Sequence, residues 1–367
     1  MDKELSSIHY DQYLQLQKIL QAQRLRSEEF KKPAHDEMLF IIVHQVYELW
    51  FKEILHDLNS VMELFSEGTV EEAQIGVAIS RLDRIVKIQK ILVDQIDIIE
   101  TMTPLDFLDF RNYLLPASGF QSFQFRQLEV SLGLKRESRV SYTQCAYSGV
   151  FSDEEQEILN NLEASDSMLD LVEKWLERTP FLQFERFDFL EEYQNSVVKM
   201  LNREEEAIQS ADYISEHEKN LRIRMLGETN TYFSSIFDRV KHEEKIKQGS
   251  LKLSYKATIS ALLINLYRDE PLLRQPFMFL QKLIDMDELL TTWRNRHAQM
   301  VLRTLGQKIG TGGSSGYDYL KTTAESHRIF YDLHNVSTLL IPRSFLPELP
   351  EELKQKLDFN FSKNNKK

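Results

Sequence analysis

Apolar residues along this chain recur mostly at intervals of three and four, in long stretches that follow one another with few breaks, which is the period of packed helices. Residues 10–25 (YDQYLQLQKILQAQRL) predict a first helix, with Tyr13, Leu14, Leu16, Ile19 and Leu20 as a partial apolar face ahead of Lys31-Lys32-Pro33. The stretch HDEMLFIIVHQVYELWFKEILHDLNSVMELF predicts a long helix capped by Asp36. It is apolar nearly all round between Met38 and Leu55, as in a central, largely buried helix. Another amphipathic helix covers 70–100, followed by a compact aromatic segment, MTPLDFLDFRNYLLPASGFQSFQFRQLEVSLG. Residues 131–165 read as polar and turn-rich, with a helix to follow around MLDLVEKWLERTP. The charged stretch 195–248 predicts a solvated helical excursion, a hairpin leaving the body. Apolar helices resume at YKATISALLINLY and PFMFLQKLIDM. They lead into a helix whose face carries Leu289, Leu290, Trp293, His297, Met300, Val301 and Leu305 and which stops near Gly306. With no repeat or heptad seam, the expectation is an all-α fold, one domain over 1–367 with an unstructured tail at 360–367.

Composition supports helices. The 367 residues hold only 12 glycines and 9 prolines, few turn formers for the length, and 42% hydrophobic residues are enough for a large core. A net charge of −12 argues against nucleic acid, whose phosphates need a basic surface. No run of about eighteen apolar residues exists, so no membrane span is expected. The N-terminal MDKELSSIHYDQYLQL lacks the apolar core of a secretory signal, and one cysteine, Cys145, suits a reducing compartment. A cytoplasmic protein is expected.

Two histidines stand out. His297 sits mid-face on its helix, and His44 lies inside the long apolar helix with Phe40 one turn before it and Glu48 one turn after. A single histidine on an apolar face is more often a hydrogen-bonded core residue; two of them raise the prospect of a pair facing across a cofactor. Other site types fit less well. HExxH is missing, and His35 with Glu37 at a helix start would point about 200° apart, the wrong way for an iron facial triad. The loop Gly310-Thr311-Gly312-Gly313-Ser314-Ser315-Gly316 has no GK[ST], and its GGSSG follows a helix where a nucleophile elbow follows a strand. A b-type haem with His297 as its one protein ligand remains. The glycines of 310–316 suggest a lid that closes over a ligand. Arg111, among Phe107, Phe110 and Tyr113, reads equally as a stacked structural arginine or as a carboxylate clamp.

Four blocks resemble the tryptophan 2,3-dioxygenase family: HDEMLFIIVHQVYELWFK (35–52), FRNYLLPASGFQSFQFRQLE (110–129), RHAQMVLRTLGQKIGTGGSSGYDYL (296–320) and NVSTLLIPR (335–343). With VEKWLERTP they extend the resemblance over most of 8–345, while His334 and Leu339 depart from the expected residues outside the pocket set. The resemblance implies an all-helical, haem-dependent homotetramer, a dimer of dimers. Such an enzyme adds both atoms of O2 across the indole C2–C3 bond of L-tryptophan, giving N-formyl-L-kynurenine. It implies one haem b per chain on His297, with Ser118 as a further cofactor contact. His44 meets the indole N–H; Phe40, Ile41, Ile42, Val43 and Phe107 line the substrate; Arg111 pairs with its carboxylate; Thr311 lies near its ammonium. Tyr10, Tyr13 and Leu14 (within an N-terminal segment, 1–25) complete a neighbouring subunit's pocket. Two other functions fit a fold of this type: hydroxylation of another aromatic amino acid at haem, or a haem sensor without turnover.

Overall fold

The computed structural model describes residues 7–136, 139, 151–306 and 316–358. Three short helices, α1 (Tyr10–Leu14), α2 (Leu16–Leu20) and α3 (Arg26–Glu29), lead into the long α4 (Glu37–Ser66) and α5 (Glu72–Ile99). Helices α6 (Pro104–Arg111) and α7 (Phe123–Leu132) follow, with 3-10 turns at Asn112–Leu114 and Gly119–Gln121 between them. After α8 (Asp153–Ala164) and α9 (Met168–Glu177) comes one small antiparallel pair, β1 (Gln183–Phe184) with β2 (Phe187–Asp188), Gln183 opposite Asp188. The chain then runs through α10 (Phe189–Gln209), α11 (Glu216–Phe237), α12 (Arg239–Lys247) and α13 (Tyr255–Leu266). It continues with the 35-residue α14 (Pro271–Leu305), α15 (Gly316–Ser326), α16 (Tyr331–Asn335) and α17 (Glu351–Leu357). The all-α expectation is met, and among the described residues no helix is long and apolar enough to cross a membrane.

Local details differ from the sequence reading in four places. The first predicted helix is two, because Gln15 adopts a left-handed φ of 53° between α1 and α2. Asp36 does not cap α4; its backbone is already helical and its side chain makes no cap bond. Glu37 is buried instead and accepts from Arg26 N at 2.8 Å and Ser27 N at 3.0 Å, satisfying the start of α3. Helix α4 is less enclosed than its apolar content suggested: Met38, Ile42 and Leu49 are exposed. The turn-rich 131–165 contains α8, opened by a capping box in which Ser152 and Glu155 exchange side-chain and backbone bonds. The charged excursion is helical, as α10, α11 and α12, with α11 lying largely in solvent.

Three long helices set the frame. α4 runs antiparallel to α5, with the Tyr47 hydroxyl donating to the Leu92 carbonyl at one level and Arg84 holding Asp57 at 3.0 Å at another. α14 runs parallel to α5, the Gln89 amide donating to Met286 O at 3.4 Å and Arg296 pairing with Asp97 ten residues on. Between them lie Ile54, Leu58, Leu82, Ile85, Phe279 and Leu283, all fully buried, and Phe65 stacks on Phe279 at 4.7 Å. Glycine ends two site helices. Gly306 stops α14 at φ 63°, and Gly133 ends α7 at φ 121° with Leu134 N reaching back to Glu129 O at 2.9 Å.

A methyl group on Gly133 would stand 2.8 Å from Leu169 Cβ and 3.0 Å from Ser167 Oγ, at the start of α9. Gly133→Ala adds backbone strain to that overlap and is expected to destabilise the fold by about 2–3 kcal/mol. Urea denaturation of both proteins checks this; an unchanged midpoint would show that α7 and α9 can separate freely.

Candidate functional site

His44 and Phe40 occupy one face of α4, one turn apart, with ring centroids 4.1 Å from each other. His44 Nδ1 lies 2.7 Å from the Phe40 carbonyl oxygen. A carbonyl only accepts, so Nδ1 carries the hydrogen and Nε2 keeps its lone pair. Burial pushes the His44 pKa below its usual value, against the opposing pull of the Phe40 carbonyl and the Glu48 carboxylate. Protein crowds the ring, yet part of it stays accessible, as for a side chain that lines a cleft.

The wall beside His44 is aromatic. Thr103 and Asp106 form a capping box, and Pro104 follows at the first helical position, so α6 starts at a fixed point. That start places Phe107 5.7 Å from Phe40 and edge-on to Phe110 at 5.4 Å, with Phe110 fully buried. Arg111 follows Phe107 by one turn on α6 and is half-buried. Val43 is buried against the same cluster, Ile41 is half-buried and Ile42 faces outward. Four successive helical positions cannot share one face, which is why this run divides.

His297 approaches from α14. Its Nδ1 is buried and has no hydrogen-bond partner among the described residues. Burial, and secondarily the nearby His44, bring its pKa down to about 4, so it is a neutral imidazole at pH 7. Met300, one turn beyond His297, packs against the cluster of Val43 and Phe110 that Phe40 and Phe107 also border, so α14 meets the wall beside His44 there.

Sequence reasoning missed what holds these rings. Trp293, one turn before His297, lies 5.1 Å from Phe125 of α7 and edge-on to Phe51 of α4. Gln124 of α7 donates to the Glu48 side chain at 2.8 Å and its carbonyl at 2.9 Å, fixing the turn after His44. Glu129 is buried against Arg126 at 2.7 Å, Arg294 at 3.0 Å and His327 at 3.3 Å. Burial alone would raise its carboxyl; Arg126, the His327 hydrogen bond and Arg294 together hold it well below the usual carboxylate range. The sequence clue is a charge at Arg294 on an otherwise apolar helix face.

The remaining expected residues divide by location. Ser118 starts the 3-10 turn Gly119–Gln121, its hydroxyl accepting from Phe120 N at 3.4 Å. Phe120 is edge-on to Tyr319 at 5.1 Å and packs beside Ala298, so this turn adjoins the His297 helix. Tyr10, Tyr13 and Leu14 are exposed, the two tyrosines at 70% and 72%, and α1 buries nothing within its own chain. Thr311 and the suggested lid at 310–315 lie outside the described residues, as do Cys145 and the 360–367 tail.

The donor set decides what could be held here. Among the described residues no group of three or more His, Cys, Asp or Glu side chains could hold a bare ion. A neutral imidazole with an unpartnered nitrogen, on a helix packed against aromatic and aliphatic side chains, suits instead a metal that brings its own equatorial nitrogens, as haem does. A cleft of about 630 Å³ between α9, α12 and α13 mixes Lys174, Arg178, Arg239 and Lys256 with Glu177 and Glu243 and is lined by no imidazole.

The family model "Tryptophan 2,3-dioxygenase" matches residues 1–340. A tryptophan 2,3-dioxygenase of Alteromonas mediterranea is 48% identical over 359 residues, covering 98% of this chain and 99% of its own. One from Bdellovibrio bacteriovorus is 47% identical, covering 96% and 99%; one from Dictyostelium discoideum is 46% identical, covering 97% and 89%.

The lowered pKa of His44 fixes the sign of a pH effect. Below about 6.5 an unfolded chain takes up the proton first, while the folded chain resists it until lower pH. His44 therefore withdraws stability as pH falls from 6.5 towards its folded pKa and contributes nothing above 6.5. His44→Gln should show a smaller drop in urea midpoint between about pH 7 and pH 5 than the unsubstituted protein. Parallel curves would mean that the ring is not desolvated.

Proposed function

This chain belongs to the tryptophan 2,3-dioxygenase family and is a dioxygenase that cleaves tryptophan, and we propose that it does so with one haem b per chain held by His297. The observation that carries the proposal is the half-buried His297, whose Nδ1 has no partner among the described residues, on a helix whose Met300 packs against the aromatic cluster beside His44. Both oxygen atoms enter the product as the indole C2–C3 bond opens, so turnover consumes no external reductant. Bound ferrous haem supplies the activation that lets triplet O2 react with a singlet indole.

The chain's own residues bind and orient. His44 accepts the indole N–H at Nε2, since its Nδ1 hydrogen is committed to the Phe40 carbonyl. The indole N–H is a very weak acid and the neutral imidazole a modest base, so this bond aligns the ring without removing the proton. Phe40, Phe107 and the neighbouring aliphatic groups form the slot, and both rings packing edge-on to Phe110 leaves flat faces for another aromatic ring. Arg111, one turn from Phe107, takes the L-tryptophan carboxylate, and Ser118 offers its hydroxyl hydrogen to the cofactor's edge. The exposed Tyr10, Tyr13 and Leu14 reach a neighbour's pocket in a homotetramer, a dimer of dimers. A cytoplasmic setting suits a single cysteine and a ferrous centre.

Replacing His297 by Ala should abolish the Soret band or leave haem that washes out on gel filtration. A five-coordinate histidine spectrum surviving in that variant would sink the assignment. Arg111→Leu removes a charge-assisted contact of about 1.5–3 kcal/mol, so KM for L-tryptophan should rise about 10- to 150-fold. Tryptamine, which lacks the carboxylate, should be a poor substrate for the unsubstituted enzyme and be little affected by the change. Equal losses with both substrates would make Arg111 a structural residue.

A further inference from the structure

Buried polar atoms on the facing helices α5 and α14 lack partners among the described residues. Trp293 Nε1 and His297 Nδ1 are buried and unpartnered among the described residues, on rings 5.2 Å apart one turn along α14. Gln95 Oε1 is buried and unpartnered as well. The parallel register of α5 and α14, with Asp97 against Arg296, sets Gln95 at the level of Trp293. The Gln95 amide donates to Val43 O at 3.2 Å, which faces this side chain towards α4 one turn from Tyr47. The Tyr47 hydroxyl spends its one hydrogen on Leu92 O at 2.7 Å, so only lone pairs remain on its oxygen. That ring is edge-on to Trp293 at 6.1 Å, and against the rise in pKa that burial causes, the indole N–H beside the phenol oxygen draws the value down.

The donors and acceptors match in number. The indole N–H can only donate, and an imidazole that binds metal through Nε2 carries its hydrogen on Nδ1. Two donors cannot satisfy each other. Gln95 Oε1 and Tyr47 Oη are two acceptors, and a water molecule has two lone pairs and two hydrogens. Buried waters characteristically sit where about three such groups meet.

We propose that one buried water accepts from Trp293 Nε1 and His297 Nδ1 and donates to Gln95 Oε1 and Tyr47 Oη, making Trp293 and Gln95 positioning residues for the axial imidazole. An acceptor held against the distal N–H of a ligating histidine makes the ring a stronger donor to its metal. Trp293 thus does more than fill space behind His297: its N–H anchors the acceptor that tunes the iron. The inference rests on the reading of His297 as the haem ligand.

Resonance Raman spectra and midpoint potentials of the ferrous, haem-loaded enzyme test it. Trp293→Phe keeps an aromatic ring but loses the N–H; Gln95→Met keeps the bulk but loses the acceptor. In both, the iron–histidine stretch should move to lower frequency and the potential should become more positive, at unchanged haem content. Should Trp293→Phe fail to fold, Gln95→Met reads the same water from the other side. An unmoved stretch and potential in a folded, haem-replete variant overturn the proposal while leaving His297 as ligand. If the unsubstituted enzyme shows no iron–histidine band, or one that survives in His297→Ala, the ligand assignment fails instead.

Discussion

His44 and His297 belong to helices that never meet in sequence, and their juxtaposition depends on the register of three long helices. The Tyr47 bond to the Leu92 carbonyl fixes α4 against α5, and the Gln89 and Arg296 contacts fix α14 against α5. A slip of one residue on any helix turns the side chains by about 100° and would carry one imidazole out of the shared space. Directional polar bonds suit this task, because hydrophobic contacts alone tolerate sliding. The same register brings Gln95 level with Trp293, so the groups around the imidazoles and those behind them are set together.

The buried Glu129 cluster constrains rotation. Arg294 stands one turn before His297 and is tied to Glu129 on α7 and to the His327 carbonyl beyond α15. A buried ion cluster of this kind is a weak source of net stability, since desolvation offsets most of the attraction. Its value is directional: removing one partner leaves a buried charge, so α14 can turn only at high cost. Heat-stable apolar packing and direction-setting charges therefore do different work on the same helix.

The helical fold was legible because its signal is local: α4, α5, α9, α13 and α14 show their apolar period in any short window. What failed were features decided by neighbours or by single backbone torsions. Gln15 gives no sign of its left-handed φ, and Glu37 looks like a first-turn acid but caps a different helix. α8 was missed for its few apolar residues, although Ser152 and Glu155 carried a readable capping signature. In the site, His44, Phe40, Phe107, Arg111 and His297 could be named from the chain, the family resemblance assigning their roles. Tyr47, Gln95, Gln124 and the Glu129 cluster could not. Apart from the local Arg126–Glu129 pair, their bonds reach partners between 45 and 198 residues away, and such pairings leave no periodic trace.

The parallel arrangement of α5 and α14 bears on how the protein is made. The contacts that lock these helices join positions 197 and 199 residues apart, so α5 leaves the ribosome well before the helix that covers it exists. Until then the apolar faces of α4 and α5 have only each other, and much of the surface meant for Phe279, Leu283 and Met286 stays in contact with water. Long-range pairing of this kind slows folding and leaves sticky intermediates open to aggregation. Cellular yield should then depend on chaperone capacity during synthesis, and substitutions along α14 should lower abundance before they alter the chemistry of the molecules that do fold.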